Sequence, residues 1–464
     1  MKFPSVLLLS CLIAMQMACT QTKDPMDDDA IPTNIPLPKA GVNQRPVVEE
    51  KTVLLVATHW LDSNEVDMQK LYTDTASEQP GSFSDYIRQS SMGKLNLKWT
   101  TVSVRIDKPY PQNFSLALRD AEEAALKQGY DQKSYDYFFV LENSVGGGEA
   151  HLPGRALIVR GQYKGHYRRG HYIWAHEVGH NLGIRHGETY TKCPKDNETI
   201  FAPDQCEVAP AIPATDTGDP VSQGRGLYPA NYRWYAGWLD NSQVAVIERS
   251  GLYRLGVLGQ SGPQLYLINR TGLTPRQIAL EYRKPSHYDN FPPTDNRANG
   301  VWVRYTTMGN RVENVQLDGT PETASTADPT LQPGRSLIDD SARIKVKVCT
   351  TDANGASIAV SVEGESVPDC DTPFISAPQQ GQVTGPLPMF SGSASVPNAT
   401  ITVISIGNPA NVLATTKADE LGRWSVRANK ELNTWETIWI QAGQALDGQP
   451  TKWSEGRSFH VIER

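Results

Sequence analysis

The run HEVGHNLGIRH, residues 176–186, limits what this chain can fold into more than any other feature. Two histidines four apart on a helix, His176 and His180, share one face and can bring both imidazoles to one ion. Glu177 lies between them, where its carboxylate can reach a water on that ion without being a ligand. The surrounding text fits a helix. In YIWAHEVGHNLG, Trp174, Val178 and Leu182 recur every four residues and form a stripe that can pack on a sheet, leaving the histidines on a different face. Gly183 then permits the turn that ends the helix, because a residue without Cβ tolerates positive φ. The chain returns His186 as a third nitrogen. Three protein ligands leave one position open for water, the arrangement of catalytic rather than structural zinc, so Zn2+ is the expected cofactor. Five specified positions in one run, in a chain with nine histidines, are hard to meet by chance. His59, His151, His166, His171 and His287 have no comparable spacing and are expected at the surface or in packing.

A chain of 464 residues is too long for one hydrophobic core, so more than one domain is expected. Residues 51–245 read as an α+β catalytic domain. TVLLVATHW is an apolar run of strand length, FSDYIRQSSMGK has helical spacing, and LNLKWTTVSVRI alternates. A second helix is expected over LALRDAEEAALKQG, then buried strands in YDYFFVLEN and RALIVRG. Helical periodicity ends near residue 245. LYRLGVL, QLYLI, QIALEYR, GVWVRYT, IKVKVCT and ASIAVSVEG are short alternating segments, giving a β-rich domain over 246–368. Residues 372–464 continue with strands and turn signals that suggest a sandwich of immunoglobulin type. Trp424, Trp435, Trp439 and Trp453 fall here. Their faces could stack on sugar rings, but packing is the expected use of most of them.

Residues 1–18 read as an export signal: Lys2 supplies the positive start, and Val6 to Ala14 form an apolar core too short to span a bilayer. Ala18 then precedes Cys19, which resembles the cleavage and acylation site of bacterial lipoproteins, although Gln16 stands where that pattern prefers an aliphatic residue. A simple secretory peptide cut near Ala18 is the alternative. Thr20, rather than an aspartate, resembles the pattern that permits passage to an outer membrane. The protein is therefore expected at the outer membrane or cell surface through a lipid anchor on Cys19, or otherwise periplasmic or secreted. Residues 19–50 are polar and proline-rich and should act as a disordered tether. The net charge of −7, without a long Lys/Arg run, excludes a nucleic-acid footprint. Cys193, Cys206, Cys349 and Cys370 are expected to form disulfides after export. Proximity favours Cys193–Cys206 and Cys349–Cys370, with three pairings open.

The run HEVGHNLGIRH resembles the metzincin peptidases, matching their extended motif at every specified position. TGDPVSQG at 217–224 and YPANYRWYAGWLD at 228–240 make it most similar to the gametolysin-type members. The resemblance is strong over about 165–240 and does not reach the C-terminal unit. It implies a twisted sheet with an active-site helix, zinc held by His176, His180 and His186, and Glu177 as general base. It also implies extracellular protein or glycoprotein substrates; a monomer is expected. One departure stands out: the family places a methionine beneath the zinc, and the register of GDPVSQG puts Gln223 there. Met308, in a strand pattern, and Met389, in the last domain, are not natural substitutes. Some metzincins use a tyrosine after that turn to stabilise the oxyanion; Tyr228 and Tyr232 stand nearby, with packing as their expected use. Two other readings remain open: a zinc-holding surface binding protein or adhesin with little turnover, and a zinc hydrolase of another bond, such as a cell-wall amide.

Overall fold

The structure, a computed structural model, describes residues 47–463 except 145–146, 162–170, 210–215, 223, 324 and 447–448. The export signal, Cys19, His166 and Gln223 lie outside the described residues.

Sheet dominates over helix, an α+β architecture as expected. The apolar run after Thr52 forms β1 (Glu49–Trp60), whose middle is buried on both faces. It pairs in parallel with β2 (Leu95–Ile106) and β3 (Tyr137–Glu142), and β3 pairs in parallel with β5 (Ala156–Arg160). β4 (Gly147–Ala150) runs antiparallel to β5 and closes the order β2-β1-β3-β5-β4 as an edge strand. Parallel strands buried on both sides need cover on both faces. α3 (Phe114–Lys127) covers one, over Leu54, Val56, Phe138 and Ile158. α2 (Phe83–Ser90) and α4 (Tyr172–Asn181) cover the other, over Leu55, Phe139, Leu141 and Leu157. The stripe of Trp174, Val178 and Leu182 packs into this second core, with Trp174 6.1 Å from Phe139, ring to ring. A further short helix, α1 (Met68–Asp74), is capped by the Asp67 carboxylate, which accepts from the Lys70 amide.

Beyond α4 the chain leaves this sheet. β6 (Glu188–Thr191) and β9 (Glu207–Ala209) join a seven-stranded sheet with Val244–Val246, Leu265–Asn269, Gln277–Tyr282, Val301–Met308 and Val312–Leu317. β7 (Lys195–Asp196) and β8 (Thr199–Phe201) join a six-stranded sheet with Gly251–Gly256, Ser336–Asp339, Ile344–Thr351 and Gly355–Ser361. The two sheets share a core that includes Ile268, Leu280, Val303, Leu337, Val346 and Ile358. Sheets therefore run across the expected boundary at residue 245. The strands within 188–209 are two to four residues long, too short to show alternation in sequence. α5 (Ala230–Tyr235) is buried along its whole length.

The C-terminal residues form a β-sandwich. Phe374–Ala377, Met389–Ser393 and Arg423–Arg427 make one sheet, and Glu436–Ala445 lies central in the other. Phe390, Ile401, Trp424, Ile440 and Phe459 fill the space between them. Cys193–Cys206 and Cys349–Cys370 are the disulfides.

Candidate metal centre

α4 turns its apolar stripe inward and leaves His176 and His180 at the mouth of a cleft. The helix ends at Gly183, with φ of 96°, and the chain doubles back to deliver His186. The His186 Nε2 lies 3.2 Å from the Nε2 of His176 and 3.2 Å from that of His180. Nδ1 of His176 faces the Pro220 carbonyl at 3.0 Å, and Nδ1 of His180 faces the Ile184 carbonyl at 2.8 Å. A carbonyl only accepts, so both rings carry their proton on Nδ1 and present a lone pair at Nε2. His186 can offer at most one N–H to those two lone pairs. Three convergent nitrogens, two of them on rings whose rear atoms are anchored to carbonyls, are a donor set that suits a zinc ion, and a cation between them removes the lone-pair repulsion. Burial pushes His176 down to about 3 and His180 down to about 4, and lowers His186 as well. Neutral imidazole is the ligand form.

Glu177 is 2% exposed. Burial, then the charge of Glu149, pushes its carboxyl up to about 8, with Arg160 opposing. The carboxylate lies against β4: a Cβ on Gly148 would stand 2.3 Å from Glu177 Oε1.

The cleft has a volume of about 830 Å3. β4 forms one wall through Gly148, Glu149 and Ala150; Thr307, Glu313, Asn314 and Val315, from the seven-stranded sheet, contribute the other. The same strand, Val312–Leu317, holds the third histidine. Val312 N–H donates to the Gly183 carbonyl at 2.9 Å and the Arg185 N–H donates to the Val312 carbonyl at 3.0 Å, before β6 continues the pairing at Glu188.

A buried turn supports the histidines from below. Asp219 Oδ1 accepts from the Val221 amide at 2.8 Å and Oδ2 from the Tyr232 hydroxyl. This shapes the backbone that offers the Pro220 carbonyl to His176. Val221 is fully buried beneath α4, where a Cβ on Gly179 would meet its Cγ2 at 2.2 Å. The contact under the helix at Gly179 thus comes from Val221. Asp216 anchors the turn through Arg304, with Nε 2.7 Å from its carboxylate; Arg304 also pairs with Glu281, which pairs with Arg283. Burial and the nearby Asp216 push Asp219 upward.

Tyr228 and Tyr232 are buried, their hydroxyls donated to the Ala175 carbonyl and to Asp219, and neither lines the cleft. His59 bonds Ser103, and His171 stacks on Tyr86 at 5.0 Å. His59, His151, His171 and His287 stay out of the cleft lining. Sequence reading missed Gly148, Pro220, Val221 and Asn314. Asn314 lines the cleft with its amide oxygen accepting from Asn231 and its buried Nδ2 unpartnered among the described residues.

Compared with protein-family models and with curated proteins, the chain has no significant match.

Proposed function

We propose that this protein is an exported zinc metalloendopeptidase of metzincin type, hydrolysing peptide bonds in extracellular proteins or glycoproteins. The observation that carries this reading is the convergence of three imidazole nitrogens beside the buried carboxylate of Glu177, in a cleft bordered by β4, an edge strand among the described residues.

His176, His180 and His186 would hold zinc, which when bound acidifies a water and polarises a carbonyl. The chain's own residues do the rest. Glu177 in its ionised form takes a proton from the attacking water and delivers it to the leaving amine. Its raised proton affinity suits the second role, and a neighbouring cation favours the ionised form needed for the first. β4 pairs with β5 on one side, and no described strand pairs with its other side. An extended peptide can add to such an edge through backbone hydrogen bonds, which places its carbonyls along the histidine cluster without regard to side-chain identity. Glu149 and Glu313 flank the cleft, each paired with an arginine, Arg160 at 2.9 Å and Arg185 at 3.1 Å, so neither presents an uncompensated charge to a substrate.

The N-terminal signal supports export, Cys19 supports lipid attachment, and two disulfides suit an oxidising compartment. The test is cleavage of a panel of unfolded proteins and glycoproteins by the mature chain and by Glu177→Ala, with zinc quantified in both. The parent should cleave, and the variant should lose at least about 100-fold in rate at equal zinc content. Equal cleavage by both, or none by a zinc-loaded parent, would remove the peptidase reading. His176→Ala and His180→Ala should each lose zinc; stoichiometric zinc in either would refute the ligand set.

A further inference from the structure

Tryptophan carries the largest apolar side chain, and a folded domain gains most by burying it. In the C-terminal sandwich Trp424 does so, at 4% exposure. Trp435, Trp439 and Trp453 instead expose 75%, 52% and 38% of their surface, which corrects the expectation that packing explains most of the four.

Two of the exposed rings, Trp439 and Trp453, lie on one sheet. Along Glu436–Ala445, Ile438, Ile440 and Ala442 face the core, so the alternate residues Thr437, Trp439, Gln441 and Gly443 face outward. Trp453, on the neighbouring strand, pairs with Gly443, and a Cβ there would come 2.8 Å from its ring. Glycine is what lets that ring lie against the sheet. Trp439 and Gly443 are four residues apart, about 13 Å at the rise of an extended strand. Trp435 immediately precedes the same strand with φ of 66°, a left-handed conformation that bulky side chains avoid. A glycine or asparagine would relax that backbone, and with three-quarters of the ring in water, packing gives tryptophan little advantage there.

Polar groups lie beside the rings. Thr437 and His460 face each other across the strands, Oγ1 to Nδ1 at 2.9 Å, and Gln441 lies between Trp439 and Gly443. A sugar chain has this alternation, with apolar C–H faces that stack on aromatic rings and hydroxyls that need hydrogen-bonding partners. A protein interface core would be more continuously apolar. An anionic lipid surface would call for clustered lysine and arginine, whereas the strand ends here carry Glu436 and Lys452.

We infer that this face is a binding platform for a neutral oligosaccharide chain, with Trp439 and Trp453 as its stacking surfaces and Trp435 extending it. The site is separate from the metal centre and stands or falls independently of the peptidase reading.

Affinity electrophoresis of the full mature chain tests it, in gels that each hold one neutral glycan: a β-glucan, a mannan, a galactan, a xylan or desialylated mucin. The expected result is retardation by at least one, with affinity weakened about tenfold by Trp439→Ala and by Trp453→Ala, the loss of one stacking contact. Zinc content equal to that of the parent and a single cooperative urea transition confirm that the variants fold. Retardation by none of the glycans, or retardation that both variants leave unchanged, overturns the proposal. So does self-association in sugar-free sedimentation that the variants abolish, which would make this face a contact between copies.

Discussion

Glu177 has almost no freedom where it lies. Its carboxylate is enclosed by α4 on one side and the Gly148 backbone on the other, with no room for a Cβ between them. Gly148→Ala should therefore move the carboxylate rather than the strand, lowering kcat at least about tenfold while zinc content stays that of the parent. Unchanged kcat with unchanged zinc would show that the carboxylate has slack. Gly179 offers a contrasting case within α4. Glycine to alanine inside a helix ordinarily gains about 1 kcal/mol. Here the new Cβ meets Val221 Cγ2 at 2.2 Å in a closed core, and overpacking costs about 1–3 kcal/mol. Gly179→Ala should lower the urea midpoint, and a rise would mean that Val221 moves aside freely. These residues also mark the limit of what the sequence discloses. His176, His180, Glu177 and Gly183 are legible because four-residue spacing on a helix is local information. Gly148, Pro220 and Val221 are not, since each acts through a contact 29 to 44 residues away in the chain.

At the scale of elements, the turn 216–224 is the part that local sequence describes least well. Its support is a set of buried charges from distant strands: Arg304 pairs with Asp216 and Glu281, and Arg283 with Glu281 and Asp289. Replacing Arg304 with methionine fills similar space but leaves Asp216 buried without its partner, a loss of about 3–5 kcal/mol in urea unfolding. Because the turn presents the Pro220 carbonyl that orients His176, zinc affinity measured by chelator competition should also fall about 10–100-fold. A stability loss without an affinity loss would confine Arg304 to the fold. Long elements were readable: β1, β2, α3 and α4 follow their hydrophobic periods to within a few residues. The strands of 188–209 were not, because their partners at 312–317 and 336–339 supply the hydrogen bonds that define them.

For the whole molecule, composition and hydrogen bonding divide the chain differently. Helical periodicity stops near residue 245, yet the site is completed from beyond that point: Val312 holds the His186 segment, Arg304 holds the turn, and Glu313 and Asn314 form a wall of the cleft. A chain ending at residue 245 would expose the pairing edges of β6 and β8 and leave Asp216 without Arg304. The C-terminal sandwich touches the rest more lightly, through contacts such as Leu252 N–H to Ser393 Oγ at 2.7 Å and Ser376 Oγ to the Ser250 carbonyl at 3.2 Å. It also has its own core. A chain ending at residue 371 keeps both disulfides and every residue of the cleft. It should fold, hold one zinc per chain and cleave an unglycosylated protein at a rate within about twofold of the parent, since separate cores contribute independently. The chain ending at 245 should hold no stoichiometric zinc and show no cooperative unfolding transition. Elemental analysis and circular dichroism of the two truncations decide the matter. Zinc bound by the shorter chain with the affinity of the parent would make the seven- and six-stranded sheets an attachment rather than a support of the histidine cluster.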